Sequence, residues 1–388
     1  MAKARKAPNG FGSIRSKTIN GKTYWEGRYS DPILNKQKSV CATTQAECMR
    51  KLREVQAAIA RGDYTTPQKT TLGQWLNSWL NTREGIEETT RSLYERSIRL
   101  YIVPNIGNIQ IQKLQYIHCQ EFVNKLARDP EREKPLHPKT IKNTVGVLHK
   151  ALDTAVQARL IPSNPASNLD IPRVEKPAPK VMQRDEQERF LEVIAASPYH
   201  DIFFIGLYTG MRISEVLGLQ WKNVNLQTGE VRIDHQLDRK RGNDTARKLK
   251  STKTHNARST VLPQFVLDEL RATNIRQKTQ RLKAGPAWMN ADDLVFTRED
   301  GSPMPHNTVS KAFKKAATQI GRSDLSFHSL RHTFITDALA EGIDVKTVAE
   351  LVGHADARMT LNVYAAATDE MKKAAAERMQ KRHEAKNA

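Results

Sequence analysis

The chain has 388 residues, too many for one ordinary core, so two or three domains are expected. Lys and Arg number 62 against 42 Asp and Glu, a net charge of +20 that draws polyanions over long range and makes nucleic acid the leading partner; a basic surface that serves solubility alone is the competing reading. No apolar run nears the roughly 18 residues of a membrane helix, the basic start Met1 to Lys6 has no apolar segment behind it, and the scattered Cys41, Cys48 and Cys119 argue against a disulfide framework or zinc finger and fit reduced thiols.

Residues 1–66 form the first expected unit. Asn20-Gly21 marks a hairpin turn and Asp31-Pro32 a second, which divides residues 10–40 into three short antiparallel strands. Ala46, Met49, Leu52, Val55, Ala58 and Ile59 then recur at helical spacing until Gly62 stops the helix. Across residues 1–40, nine Lys or Arg stand against two acids, Glu26 and Asp31. A basic sheet carrying Tyr24, Trp25 and Tyr29 suits a DNA groove, with Arg15, Lys17, Lys22 and Arg28 as contacts. The alternative is that the aromatics are core and the charges face water.

Residues 67–170 read as all-helical. Thr71 and Gln74 have capping-box spacing ahead of an apolar face of Trp75, Leu76, Trp79 and Leu80. Further helices are expected over residues 88–102, ending before Pro104, then over 116–126 and 138–159. Arg96, Arg99 and Lys142 read as solvated positions by themselves and as DNA contacts in this company. Proline-punctuated residues 171–180 are the clearest linker.

Residues 181–388 form a mixed, mainly helical domain. Asp185 with Glu188 has the spacing to cap a helix reaching about residue 196. Residues 202–207 are a buried helical run that Gly210 interrupts, and a helix restarts over 211–219. Residues 231–233 and 259–262 read as strands, separated by a basic excursion that carries Arg239, Arg241 and Lys253. The remainder is helical, over 266–283, 308–320, 329–340 and 345–351 and from 355 into the tail.

Several side chains here suit phosphodiester chemistry. Arg212 beside a core helix is costly without an anionic partner, and Glu215 shares its face; a purely structural Arg–Glu pair fits equally. His328 and Arg331 share a helix face. The four-residue spacing of His328 and His332 is that of metal ligands, but Arg331 between them repels a cation, so no metal is expected. Lys253 either faces water or is carried into a cleft by its loop. Tyr364 follows His354 by ten residues and reads as a packed phenol or a nucleophile.

Taken in order, Thr209-Gly210-Met211-Arg212-Ile213-Ser214-Glu215, Thr252-Lys253-Thr254, His328-Ser329-Leu330-Arg331-His332-Thr333, Leu351-Val352-Gly353-His354 and Tyr364 resemble the tyrosine recombinase (integrase) family over essentially the whole chain. The layout is most similar to the conjugative-transposon branch. The resemblance implies a multidomain fold: a small β-sheet-plus-helix arm-binding domain (1–66), an all-α SAM-like core-binding domain (67–170) and a mixed, mainly-α catalytic domain with a C-terminal tail helix (181–388). It implies a site-specific recombinase that integrates and excises a phage or conjugative transposon through a 3′-phosphotyrosyl intermediate. Tyr364 is then the nucleophile and Arg212 and Arg331 clamp the phosphate. Lys253 is the general acid, His328 assists proton transfer, His354 hydrogen-bonds the phosphate and Glu215 supports Arg212. Arg239 and Arg241 join the DNA contacts. The resemblance implies no cofactor or metal. It implies double-stranded DNA at core and arm sites, a homo-tetramer on two sites with residues 369–388 packed on a neighbour, accessory excisionase and DNA-bending proteins, and work on DNA in a bacterial cytoplasm, off the membrane. A type IB topoisomerase, or a non-catalytic DNA-binding regulator, are the alternatives; the arm-like module favours the recombinase.

Overall fold

The computed structural model describes residues 13–19, 22–62, 64–128, 135–175, 178–238, 249–251 and 257–365. The chain divides into two units, Met1–Glu175 and Lys176–Ala388.

In the first unit, β1 (Ile14–Ile19), β2 (Lys22–Asp31) and β3 (Lys36–Ala42) form an antiparallel meander in the order β1-β2-β3. The Thr44 side chain accepts the Glu47 N–H to start α1 (Gln45–Arg61), and Gly62 ends it in the left-handed conformation. α1 covers one sheet face around Tyr29, Leu52 and Tyr64. Strand alternation and the register, with Arg15 opposite Glu26 and Lys17 opposite Tyr24, put Arg15, Lys17, Lys22, Tyr24 and Arg28 together on the other face. Trp25 and Tyr29 turn to the helix side.

Asp31, fully buried, closes this module. Its carboxylate accepts the Ile33 and Leu34 N–H groups and the Tyr64 and Thr66 hydroxyls. Burial pushes the carboxyl up, but these bonds outweigh it and hold it down at about 2.

The helical part of this unit begins with a reciprocal Thr71–Gln74 capping box at α2 (Leu72–Asn81). α3 (Glu88–Ser97) does not stop before Pro104. It runs through a π-helical turn, Ile98–Ile102, into α4 (Val103–Ile106). In that turn the Val103 N–H reaches back five residues to the Ile98 carbonyl, and the widened turn tolerates a following residue with no N–H. α5 (Tyr116–Ala127) and α6 (Pro138–Gln157) complete a core around Leu76, Trp79, Ile102, Phe122 and Leu148. The indole N–H groups of Trp75 and Trp79 donate to Ala151 O and Thr154 Oγ1, which pins α2 to α6.

In the second unit, α7 (Arg184–Ile194) is capped by Gln183 and Glu186, not by Asp185 with Glu188. Glu186, held by Arg322, turns back to the Gln183 N–H. α8 (His200–Thr209) is apolar nearly all round and occupies the centre, followed by α9 (Ile213–Leu217). β4 (Glu230–Ile233) pairs with β7 (Arg258–Val261), as the strand expectation requires. β5 (His235–Leu237) and β6 (Leu249–Ser251) pair between them and were not legible, because three-residue strands leave too little alternation to read. α10 (Gln264–Ala284), α11 (His306–Gln319), α12 (Phe327–Ala340), α13 (Val345–Val352) and the helical residues 357–365 (α14) follow. Phe190, Phe203, Phe313 and Phe327 interlock at the core with ring centroids 5.4 to 6.3 Å apart. No described helix is long and apolar enough to cross a membrane.

Asp31→Ala strands two N–H groups and two hydroxyls and is expected to cost the N-terminal module about 1–3 kcal/mol. Hydrogen exchange over residues 14–62 of the full chain should accelerate. The carboxylate's contribution should be complete above about pH 4 and fade as pH falls towards 2. Unchanged exchange in the variant would contradict this role.

Candidate active site

Gly210 takes a left-handed φ of +62°, and a Cβ there would meet the Phe334 ring at 2.6 Å. The chain therefore turns sharply out of α8 and presents Arg212 at the N-cap of α9. Glu215, 3 % exposed, accepts the Arg212 N–H at 3.0 Å and Arg212 Nη1 at 2.7 Å. Its other side is taken by Arg258 of β7, with Nη2 at 2.7 Å and Nη1 at 3.3 Å. Burial pushes the Glu215 carboxyl up, but Arg258 first and then Arg212 bring it down to about 2. One carboxylate is thus shared by two guanidinium groups.

A third guanidinium has no carboxylate partner among the described residues. Ser326 and Ser329 cap α12, which sets His328, Arg331 and His332 in its first turns. Arg331 is 1 % exposed. Its Nη1 donates to Gly210 O at 2.9 Å, while Nε and Nη2 are buried with no acceptor among the described residues. Burial, and then the charge of Arg212, lower this guanidinium to about 9, so it is still a cation at neutral pH. A buried cation with two unused donors is expensive unless an anion arrives to take them.

The histidines are neutral beside these charges. His328 keeps an exposed edge, yet desolvation by the protein packed around its ring, then His332 and Arg331, lower it to about 4, and its ring meets His332 edge to face with centroids 4.7 Å apart. His354 is lowered to about 4 by burial, then by Arg331 and Arg212. Its place is fixed by the end of α13. Gly353 N–H bonds Glu350 O and His354 N–H bonds Ala349 O, the crossed pair of a Schellman cap, with Gly353 at φ +68°. Arg212 Nη2 donates to Gly353 O at 3.3 Å and Arg258 Nε to Leu351 O at 2.9 Å, so two arginines sit at this carbonyl-rich helix end. His354 Nδ1 lies 2.8 Å from the buried Thr360 hydroxyl of α14. A hydroxyl donating there puts the ring proton on Nε2, as a hydrogen-bond donor. Tyr364 is half-buried one helical turn beyond Thr360, on the same face of α14. The adjoining Val363 packs with Ile335, Ala338, Val348 and Val352, which seats α14 on α12 and α13.

The structure therefore gathers Arg212, Glu215, His328, Arg331 and His354, and brings Tyr364 to the face of the helix that holds His354. Lys253 lies outside the described residues, as do Arg239, Arg241 and residues 369–388. Arg258 and Thr360 were missed by sequence reasoning. Neither belongs to a spacing pattern, and Arg258 reads as one more cation in a basic stretch. Of the expected DNA contacts, Arg15 and Arg28 share Glu26 at 2.7 and 3.5 Å, Lys17 and Lys22 are exposed beside them, and Arg96, Arg99 and Lys142 are exposed on the helices. By contrast, His200, Asp201 and Glu269, whose ligand atoms lie within 4.8 Å of one another, are already answered: Asp201 is held by Arg276 and Thr273, and Glu269 faces His200.

Fixed guanidinium groups with donors to spare, next to neutral histidines and a phenol, are the equipment of an enzyme that handles a tetrahedral phosphate ester. Residues 180–371 match the phage integrase family, and residues 71–127 match the phage integrase N-terminal SAM-like domain. The chain belongs to the phage integrase family, the tyrosine recombinases, which are DNA strand-transferring enzymes. Among its relatives is a XerC-like tyrosine recombinase of Caldanaerobacter subterraneus, 27% identical over 89% of this chain and 93% of that protein. An integrase of Streptomyces ambofaciens is 24% identical over 83% of this chain and 82% of its own length. The Tn1549 transposon integrase in complex with a circular intermediate DNA shares the fold at a TM-score of 0.67 and 23% identity, over 80% of this chain and 99% of that one. A lambda integrase tetramer bound to a Holliday junction matches at 0.56 and 16% identity, over 93% and 96%.

His328 and His354 should titrate by NMR near pH 4, well below the ordinary imidazole range. Their protons then go to the unfolded chain first, so stability should fall as pH drops from about 6.5 towards 4. Arg331→Ala removes a neighbouring positive charge and should move the His354 midpoint up. A midpoint near 6.5 in the intact protein would contradict the described cluster.

Proposed function

We propose that this recombinase integrates and excises a mobile genetic element, such as a conjugative transposon or phage, using Tyr364 as its nucleophile. The observation that carries the reading is Arg331, a buried cation whose Nε and Nη2 have no acceptor among the described residues. A scissile phosphate placed there takes both donors, with Arg212 and the His354 Nε2 proton on its other oxygens. The Tyr364 oxygen attacks phosphorus, its proton passing to neutral His328, and a 3′-phosphotyrosyl bond forms as the 5′-oxygen leaves with a proton from Lys253. Negative charge grows on the equatorial oxygens as the bond changes, and the preset guanidinium groups answer it. The covalent link retains the energy of the ester, so a 5′-hydroxyl of a partner strand reverses the step without ATP or metal.

The parts assigned to DNA follow the same logic. Residues 1–66 act as the arm-type module, binding through the face that carries Lys17, Lys22, Tyr24 and Arg28. Residues 67–170 grip the core site through Arg96, Arg99 and Lys142. Residues 181–388 cut, and 171–180 link the two. The lambda integrase tetramer on a Holliday junction supports a working assembly of four copies on two sites.

A library of nicked suicide duplexes incubated with the protein should yield covalent adducts whose sequences define the core site. Tyr364→Phe should form none while retaining duplex binding; adduct from that variant would overturn the assignment. Arg212→Ala or Arg331→Ala should slow adduct formation roughly 10²–10³-fold or more. Supercoiled plasmids bearing paired trapped sites should give recombinants, whereas relaxation without recombinants would favour a topoisomerase.

A further inference from the structure

Arg258 belongs to no part of the chemistry above. It is the first residue of β7, and its side chain is 11 % exposed. All three of its guanidinium nitrogens are used, and none points to open space. Nη1 and Nη2 grip Glu215, and Nε donates to the carbonyl of Leu351, two residues before Gly353. The fit is close on the far side too: a Cβ on Gly353 would stand 2.8 Å from Arg258 Nη1 and 3.1 Å from its Cδ. One side chain thus joins the carboxylate that orients Arg212, the helix end that aims His354, and strand β7.

The electrostatics give this junction a purpose. Glu215 carries one negative charge and is bonded by both Arg212 and Arg258. Without Arg258, the carboxylate keeps its full charge for Arg212 and draws that guanidinium into a two-armed pair, away from any phosphate. It also opposes the approach of an anion. With Arg258 present, both carboxylate oxygens already accept from a second guanidinium. Arg212 is then tethered through Nη1 alone, and its Nη2 makes only the 3.3 Å contact to Gly353 O.

We propose that Arg258 is a positioning residue of the strand-cleavage site: it occupies Glu215 and the end of α13, so that Arg212 and His354 are set for a phosphate before DNA arrives. Arg258 touches no substrate in this arrangement. Its effect passes through Glu215 and the Leu351 carbonyl. This rests on the proposed cleavage function, and the controls separate the two.

The test is single-turnover adduct formation at saturating protein, on the duplex that the wild-type chain traps. If wild-type protein forms no adduct, the cleavage reading fails. With wild-type adduct in hand, Arg258→Met should slow cleavage by about 10²-fold while duplex affinity changes little, the behaviour of a group that acts on the transition state and not on binding. Replacing Glu215 by Gln in that background removes the freed charge and should recover about tenfold of the loss, a non-additivity expected of coupled groups. Arg258→Lys restores the charge without the three-point grip and should fall between wild type and Arg258→Met. Cleavage by Arg258→Met at the wild-type rate would overturn the proposal. So would a loss that Glu215→Gln deepens and that tracks a fall in melting temperature and duplex affinity, because that marks a residue needed only for folding.

Discussion

Unanswered positive charge inside a folded domain is the constraint that organises the second unit. Two guanidinium groups, of Arg212 and Arg258, share the carboxylate of Glu215, and a third, of Arg331, has no carboxylate partner among the described residues. Arg331 keeps two donors with no acceptor among the described residues. Burying a cation in this way opposes folding, and a large aromatic and aliphatic core built on α7, α8, α11 and α12 offsets it. The imbalance is worth keeping only where a ligand restores it, and a phosphodiester does so with the right charge and the right number of acceptors.

The same imbalance sets the histidines. Two imidazoles placed among guanidinium groups, His328 exposed and His354 half-buried, stay neutral at physiological pH, so each keeps one ring nitrogen without a proton. Backbone structure then fixes their direction. The Schellman cap at Gly353 orients His354, and the Thr360 hydroxyl ties that ring to the helix that carries Tyr364. Charge, cap and tyrosine are therefore linked through short covalent and hydrogen-bonded paths. Little reorganisation is left for the moment when substrate binds.

Much of this was legible in the residues. Helix-face arithmetic placed His328 with Arg331; the expected Arg212–Glu215 pair also forms, but as the cap of α9, because Arg212 stands outside that helix in extended conformation. Turn signals at Asn20-Gly21 and Asp31-Pro32 placed the meander, and the Thr71–Gln74 cap formed as written. Most of what escaped was non-local. Arg258 reaches Glu215 across 43 positions, and no periodicity announces that. The helix that passes Pro104 uses a five-residue hydrogen bond that ordinary proline rules do not foresee. The cap of α7 moved to Gln183 because Glu186 is held by Arg322, which is 136 residues away. Alternation did show that the sheet has two faces. The register was needed to show that the basic residues of β1 and β2 share the one left open, with Tyr24 but not Tyr29.

If Arg331 is buried with spare donors in order to answer a phosphate charge, that charge is the variable to change. The most direct measurement compares adduct formation on a duplex with an ordinary scissile phosphate and on one with a neutral methylphosphonate at that position, for wild type and Arg331→Ala. On the phosphate the variant should be crippled. On the methylphosphonate, with no anionic oxygen to be answered, most of the difference between wild type and variant should disappear. An equal loss on both substrates would mean that Arg331 supports the fold and not the charge of the reacting group, and would contradict the electrostatic basis of the site.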